Sequence, residues 1–369
     1  MPKTSITSCF LSLLLLISLT NAFTQVRPLG NKFKQNPVYR SLRDSLELKQ
    51  VERKLDEAYN TRPINQSLVD SLRVLWNESY ANGIIRYKKI YSTTPGFFIY
   101  DNLKFIDDKS RVTKISIINE NFGKLPEDLL QCNNIEELEI INSHLRKIQS
   151  QLNNLKNLKK ITILNNNSLR PLKLGKNKNV THLNIHGDSP SSIPLSFKKF
   201  KSLKMINISE NGIKKFMNGA RHNKKLIELD LQFNEITLKQ NNIKSYPNLE
   251  RLSLQHNKIE RVPSSIRNMP NLKKLTFNYN LITDVASEIN QLQKLEYISF
   301  YNNKLTVVPA GVYGIKSLML IDLFYNHLTT LEERVAEWQN LQILYISHNQ
   351  LSSLPDAIGR MDSLQEIHV

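Results

Sequence analysis

Cysteine is almost missing from this chain: there are two, Cys9 and Cys132, among 369 residues. Cys9 lies in an N-terminal segment with the layout of a cleaved export signal, so one thiol is left. Neither an internal disulfide nor a multi-cysteine zinc site can then form. Glycine is scarce, with 11 residues, which argues against glycine-rich loops that cradle phosphates. The patterns GxSxG, GxxxxGK[ST] and HExxH do not occur, so the motifs of an esterase elbow, a P-loop and a zinc protease are all missing. No metal site and no cofactor are expected. Only one long apolar run appears, at the start of the chain, which removes the polytopic membrane class. Disorder throughout is removed by a hydrophobic content of 40%. Acidic residues are in deficit, 33 against 50 lysines and arginines, for a net charge of +17. Such an excess favours anionic partners and says nothing about fold.

The first 22 residues read as a signal peptide. Lys3 is followed by an apolar stretch from Cys9 to Leu19, with small residues at Thr20 and Ala22 where cleavage needs them. An exported chain beginning near Phe23 is expected, whether secreted, periplasmic or at the cell surface. Residues 23–111 carry two helical stripes. One is Leu42, Leu46, Val51, Leu55 and Ala58; the other runs from Ser67 through Leu72, Leu75 and Trp76 to Tyr80. A strand-like GFFIY at 96–100 follows.

From Val112 onward one pattern repeats. LERLSLQHNKIERVPSSIRNMPN begins at Leu249, and equivalent units begin at Val112, Ile135, Leu158, Val180, Leu203, Leu226, Leu272, Leu295, Leu318 and Leu341, with a partial one at Leu364. Eleven units span the 252 residues from Val112 to Leu364, so the period is 23 with one unit of 22. Each unit reads LxxLxLxxNxL, and many continue xxLPxxIxxLxx. Alternating residues such as Leu252 and Leu254 fit a short strand buried on one face. The asparagine column runs through Asn166, Asn211, Asn234, Asn257, Asn280, Asn303, Asn326 and Asn349, with Glu120, Ser143 and Asp188 departing from it. A buried amide there can bond the backbone where the strand turns away. Pro126, Pro194, Pro263, Pro309 and Pro355 mark the return half of the coil, ahead of a short helical or 3₁₀ piece.

This pattern resembles the leucine-rich repeat family, specifically its 23-residue class, over roughly 70% of the chain. The resemblance implies an α/β solenoid, a horseshoe with a concave parallel sheet over residues 112–369. Residues 23–111 would supply an N-terminal helical cap over its apolar end. It also implies non-catalytic recognition of another macromolecule, most naturally a protein, and no enzymatic activity.

Two surface patterns accompany the repeat. Aromatic residues and histidines concentrate at the unpaired strand positions expected on the concave face of the later units: Phe233, His256, Tyr279, Tyr297, Tyr301, Phe324, Tyr325, Tyr345 and His348. The early units present Thr113, Glu137, Glu139, Lys160 and Asn184 instead. Such rings suit binding anchors, and they suit packing between coils equally well. Charge is local too. Residues 156–225 hold 16 basic and two acidic side chains, net +14, while 112–155 and 226–369 each come to −2. Lys156, Lys176, Lys178, Lys198, Lys199, Lys201, Arg221, Lys224 and Lys225 all fall in the last five positions of their units, which stacking aligns on one rim. That rim suits an acidic polysaccharide or lipid headgroups. Nucleic acid is not expected, because the rim lacks interleaved aromatics for base stacking.

Remaining single residues read as structural. Cys132 is expected to be a buried small residue. His182 and His186, four apart on one strand and so roughly 13 Å from each other, cannot share an ion and are expected to face solvent. The sequence stops after LQEIHV, the strand half of a twelfth unit. That suggests either a longer natural chain or an edge that docks, with its own copy as one partner.

Overall fold

The computed structural model describes residues 108–369 apart from 119–124, 126, 142, 144–150, 165–173, 175–176, 188–196 and 239–242, together with the backbone strand Phe97–Ile99. The expected signal peptide and both expected helices lie outside the described residues. The chain divides into two units, 1–99 and 100–369, and the second carries the repeats.

Every unit contributes one strand to a single parallel sheet. Strands pair with their successors in chain order, from Lys114–Ile118 to Glu366–His368. The register reproduces the sequence period: Lys114 pairs with Glu137 and Glu137 with Lys160. Lys160 then pairs with His182, 22 residues on, where the one short unit lies. Strands are five residues long up to Met205–Ser209 and three long from Glu228–Asp230 onward.

Three apolar columns form the core. In the unit starting at Leu249, Leu249, Leu252 and Leu254 are all buried, as are Leu318, Ile321 and Leu323 three units later. Each fully buried aliphatic side chain contributes about 1.5–3 kcal/mol by leaving water. The return segments close the coil with single turns of 3₁₀ helix, such as Ser264–Asn268 and Asp356–Arg360, or the short α-helix Ala310–Tyr313. Pro263, Pro309 and Pro355 cap these turns in extended geometry, as expected of a residue with fixed φ and no N–H to lose. Gly311 is obligatory there, because a Cβ would sit 2.6 Å from the Ser287 carbonyl oxygen of the preceding coil. On this outer side Tyr313 and Trp338 stack at 4.9 Å, and the Trp338 indole donates to the Val312 carbonyl at 3.0 Å.

The asparagine column is a ladder of backbone clamps. Asn280 Nδ2 donates to Leu254 O at 2.9 Å and Phe277 O at 2.8 Å, while its Oδ1 accepts from Ile259 N at 3.0 Å. Asn257, Asn303 and Asn326 repeat the scheme one coil apart. Each amide thus satisfies groups in its own coil and in the coil before it. A second asparagine column went unread in the sequence. Asn134, Asn157, Asn179, Asn248, Asn271 and Asn340, each just before the first apolar residue of a unit, donate to a turn carbonyl of the preceding coil.

Cys132 is fully buried, and burial pushes its thiol pKa up, which suits a packing role and not a nucleophile.

Candidate binding face

The strands end two residues before the ladder position up to Met205–Ser209 and four before it from Glu228–Asp230 onward, and the intervening turn decides where the aromatics go. From Gly187 onward the residue directly before the ladder position adopts a left-handed conformation: Gly187, Glu210, Phe233, His256, Tyr279, Asn302, Tyr325 and His348 have φ between 51° and 67°. Five of the predicted site residues (Phe233, His256, Tyr279, Tyr325 and His348) therefore lie beyond the strands, where the chain leaves the sheet, and not on strand positions. The left-handed turn projects successive side chains in parallel, one per coil. Phe233 and His256 stack at 4.1 Å, as do His256 and Tyr279, and Tyr325 and His348. Left-handed geometry costs a non-glycine residue about 1–2 kcal/mol, and ring stacking recovers about 0.5–1.5 kcal/mol per pair.

Asn302 interrupts this column, and Tyr301 bridges the gap. Its ring lies 5.1 Å from Tyr279 and 5.4 Å from Tyr325, tilted to both. Its hydroxyl is pushed up to about 12, first by the hydrogen bond to Tyr279 and then by burial. A branch continues across the sheet, with Phe324 stacked on Tyr345 at 5.3 Å and Tyr345 edge-on to His368 at 4.9 Å. Tyr297 and Tyr345 stand on strands, and Tyr301 and Phe324 lie two residues beyond the ends of the strands Tyr297–Ser299 and Leu320–Asp322. Eight of the nine predicted residues are thus joined by ring contacts, while Tyr297 stands beside them on its strand with Lys274 Nζ over its ring. Leu320 and Ile343, partly exposed in the strand slot of Tyr297, extend the apolar surface and were missed because only aromatics were sought; their place in the repeat would have found them.

The early coils present a different face. Lys114, Glu137 and Lys160 alternate in that same slot, with Lys–Glu distances of 3.6 Å across each step. Four residues further along, Ile118, Ile141, Leu164, His186 and Ser209 are all buried. The expectation that both strand histidines face solvent therefore fails at His186. Its Nδ1 bonds the Ser209 hydroxyl in the next strand, in a slot that opens to solvent only from Gln232 onward. His182 is partly exposed and its Nδ1 bonds Thr181 Oγ1 at 2.8 Å.

The rim lysines lie where the register put them. Lys156, Lys178, Lys201 and Lys224 occupy one position in four successive coils, each exposed in the turn before its strand. Lys198, Lys199, Arg221 and Lys225 are exposed beside them, and Lys176 lies outside the described residues. Adjacent strands are about 4.8 Å apart, which fixes the spacing of the column.

Two titrations on the face oppose each other. His256, sandwiched between two rings, loses its hydration, and burial lowers its pKa to about 4 from 6.5. Unfolded chain binds the extra proton between those values, so this contribution is fully present above pH 6.5 and falls as pH drops towards 4. Burial raises Asp230 from 3.8 to about 6, so its contribution falls as pH rises through the same window. Comparing wild type with His256→Phe isolates the histidine, because Asp230 stays in both. Between pH 6.5 and 4 the wild type should lose more stability than the variant in urea titrations. Parallel profiles would show that His256 titrates normally in the fold.

Leucine-rich repeat family models match residues 247–292, 270–328 and 316–369. No curated protein matches the chain. Among solved structures the chain is similar to a leucine-rich repeat protein of Leptospira interrogans, with 24% identity over 74% of this chain and 76% of that one, at a TM-score of 0.56. It is also similar to TLR13 in a complex with single-stranded RNA, at 19% identity, 70% and 39% coverage and a TM-score of 0.57. For Toll, in the Toll–Spatzle complex of Drosophila, the values are 18%, 65% and 35%, and 0.54. At these identities the likeness is one of fold.

Proposed function

The chain is a leucine-rich repeat protein, and on that premise we propose that it is an exported, non-catalytic recognition protein that binds a polypeptide on its concave face. Leucine-rich repeat folds typically serve as binding scaffolds, and two of the similar structures are complexes with a macromolecule. The observation that carries the reading is the asymmetry of the face. Charged and paired in the early coils, it becomes a connected array of rings flanked by Leu320 and Ile343 in the late ones. Tyr279 and Tyr325 are 41% and 44% exposed and Met319 is 39% exposed, which is expensive surface to leave in water unless a partner covers it.

A second reading has its own observation. Lys156, Lys178, Lys201 and Lys224 form an exposed cationic column at strand spacing, suited to an acidic polysaccharide or to lipid headgroups.

One experiment separates the two. A random peptide library displayed on phage is panned against the full chain and against two variants, Tyr297→Ala/Phe324→Ala/Tyr345→Ala and Lys178→Glu/Lys201→Glu/Lys224→Glu. Enriched peptides should lose at least about tenfold in affinity on the ring variant and little on the charge variant. Peptides that bind the ring variant as well as wild type would overturn the concave-face reading. Binding of a sulfated polysaccharide, lost on the charge variant alone, would favour the rim.

A further inference from the structure

One carboxylate on the late face has no charged partner. Asp322 is the last residue of strand Leu320–Asp322, paired in register with Ser299 on one side and Tyr345 on the other. It is 8% exposed. Its Oδ2 accepts from Ser299 Oγ at 2.8 Å, and its Oδ1 accepts from the Phe324 amide at 3.2 Å. Each oxygen keeps a lone pair. Among the described residues no cation pairs with it, although the chain carries a net +17.

Aromatic rings surround that carboxylate. Tyr297 and Tyr301 belong to the preceding coil, Phe324 to its own and Tyr345 to the next. The hydroxyls of Tyr297, Tyr301 and Tyr345 all feel the Asp322 charge, which helps to hold their protons on. Lys274 Nζ already lies 4.5 Å above the Tyr297 ring, so this wall accommodates a cation. Asp230 supplies an internal contrast. It occupies the same strand slot four coils earlier, but Gln232 donates to it twice, through its amide at 3.1 Å and Nε2 at 3.0 Å, and its strand neighbours are Asn207 and Ser253.

We propose that Asp322, walled by Tyr297, Tyr301, Phe324 and Tyr345, is a receptor for the guanidinium of an arginine side chain in the polypeptide that occupies the concave face. The inference rests on the concave-face reading and names the group that the face selects. A guanidinium fits for three reasons. It is planar and stacks on rings, it presents paired donors to the two free lone pairs, and it sheds its water more readily than an ammonium. A neutral guest of the same shape would leave the carboxylate buried and unpaired, which costs several-fold more than a missed contact at the surface.

The test uses the full chain labelled with ¹³C in its tyrosine rings and four probes. These are acetyl-Gly-Arg-Gly-amide, its citrulline and lysine counterparts, and choline. The arginine peptide should shift the rings of Tyr297, Tyr301 and Tyr345 with a dissociation constant in the millimolar range, as expected of a single side chain. Citrulline should bind at least about tenfold more weakly, since it lacks the charge. Asp322→Asn should lower arginine affinity about tenfold, and Asp230→Asn should leave it unchanged. Asp322→Asn keeps one acceptor oxygen for the Phe324 amide while its Nδ2 donates to the Ser299 hydroxyl, and an unchanged melting temperature confirms its fold. Tyr345→Ala gives a second variant with the same expected loss. Citrulline binding as tightly as arginine, or no ring shift by about 50 mM probe, would overturn the proposal. Choline binding more tightly than arginine would overturn it too and point to a headgroup. If peptides selected on the concave face bind Asp322→Asn as well as wild type, the guanidinium inference falls and the concave-face reading stands. If the arginine peptide binds while no polypeptide depends on the ring array, the reverse holds.

Discussion

Asn280→Ala is expected to destabilise the protein by about 3 kcal/mol, out of proportion to the size of the group removed. The carbonyls of Leu254 and Phe277 each receive a second amide, from Asn257 and Asn303 respectively, so each keeps one partner in the variant. The Ile259 amide proton does not. Asn280 Oδ1 is its acceptor, Ile259 is fully buried, and an orphaned buried donor costs about 1–3 kcal/mol by itself. Two lost donor bonds and the small cavity make up the remainder. Asn248→Ala removes one exposed bond to the Lys224 carbonyl and should cost less than about 1 kcal/mol, because water replaces the partner. Urea midpoints for the two variants, with m-values unchanged, test the contrast. Equal losses would show that the buried column is ordinary surface capping. Since coils contact only their neighbours, the destabilisation should be greatest in coils beside Asn280, and hydrogen exchange resolved along the chain would locate it there.

These two columns also show what the sequence made legible. The buried one was visible because Asn recurs at a fixed offset from three apolar residues, a pattern that only burial explains. The exposed one was hidden by composition. In a chain this rich in asparagine, another Asn in a turn carries no signal until the coordinates show its carbonyl acceptor. The aromatics were legible as a cluster and misplaced in detail, since alternation continued on paper past Thr276 whereas the chain turns left-handed at Tyr279. His186 was misread for a related reason. Period two told which side of the strand it occupies, but that slot is buried up to Ser209 and open only beyond it. Asp322 escaped notice because a lone acidic residue in a strand has no motif. Its character comes from rings supplied by three successive coils, which only the register brings together.

The adjacent pair Leu323 and Phe324 gives the sharpest separation of fold from function. Leu323 points into the coil and is fully buried, so Leu323→Ala should cost about 2–5 kcal/mol through lost burial and the cavity left behind. Phe324, one residue on, projects to the concave side against Tyr301, Tyr345 and His348. Its truncation leaves the core intact and gives up one stacked pair, with Tyr345, worth about 1 kcal/mol, beside looser edge contacts. In binding the order should invert. A peptide selected on the concave face should lose about 10- to 100-fold in affinity with Phe324→Ala, as a central aromatic anchor does. With Leu323→Ala it should lose little at temperatures where the variant stays folded. Melting curves and titrations on the same two proteins decide it. If Phe324→Ala destabilises as much as Leu323→Ala and leaves affinity unchanged, the rings are core between coils and the binding surface must be sought on the lysine rim.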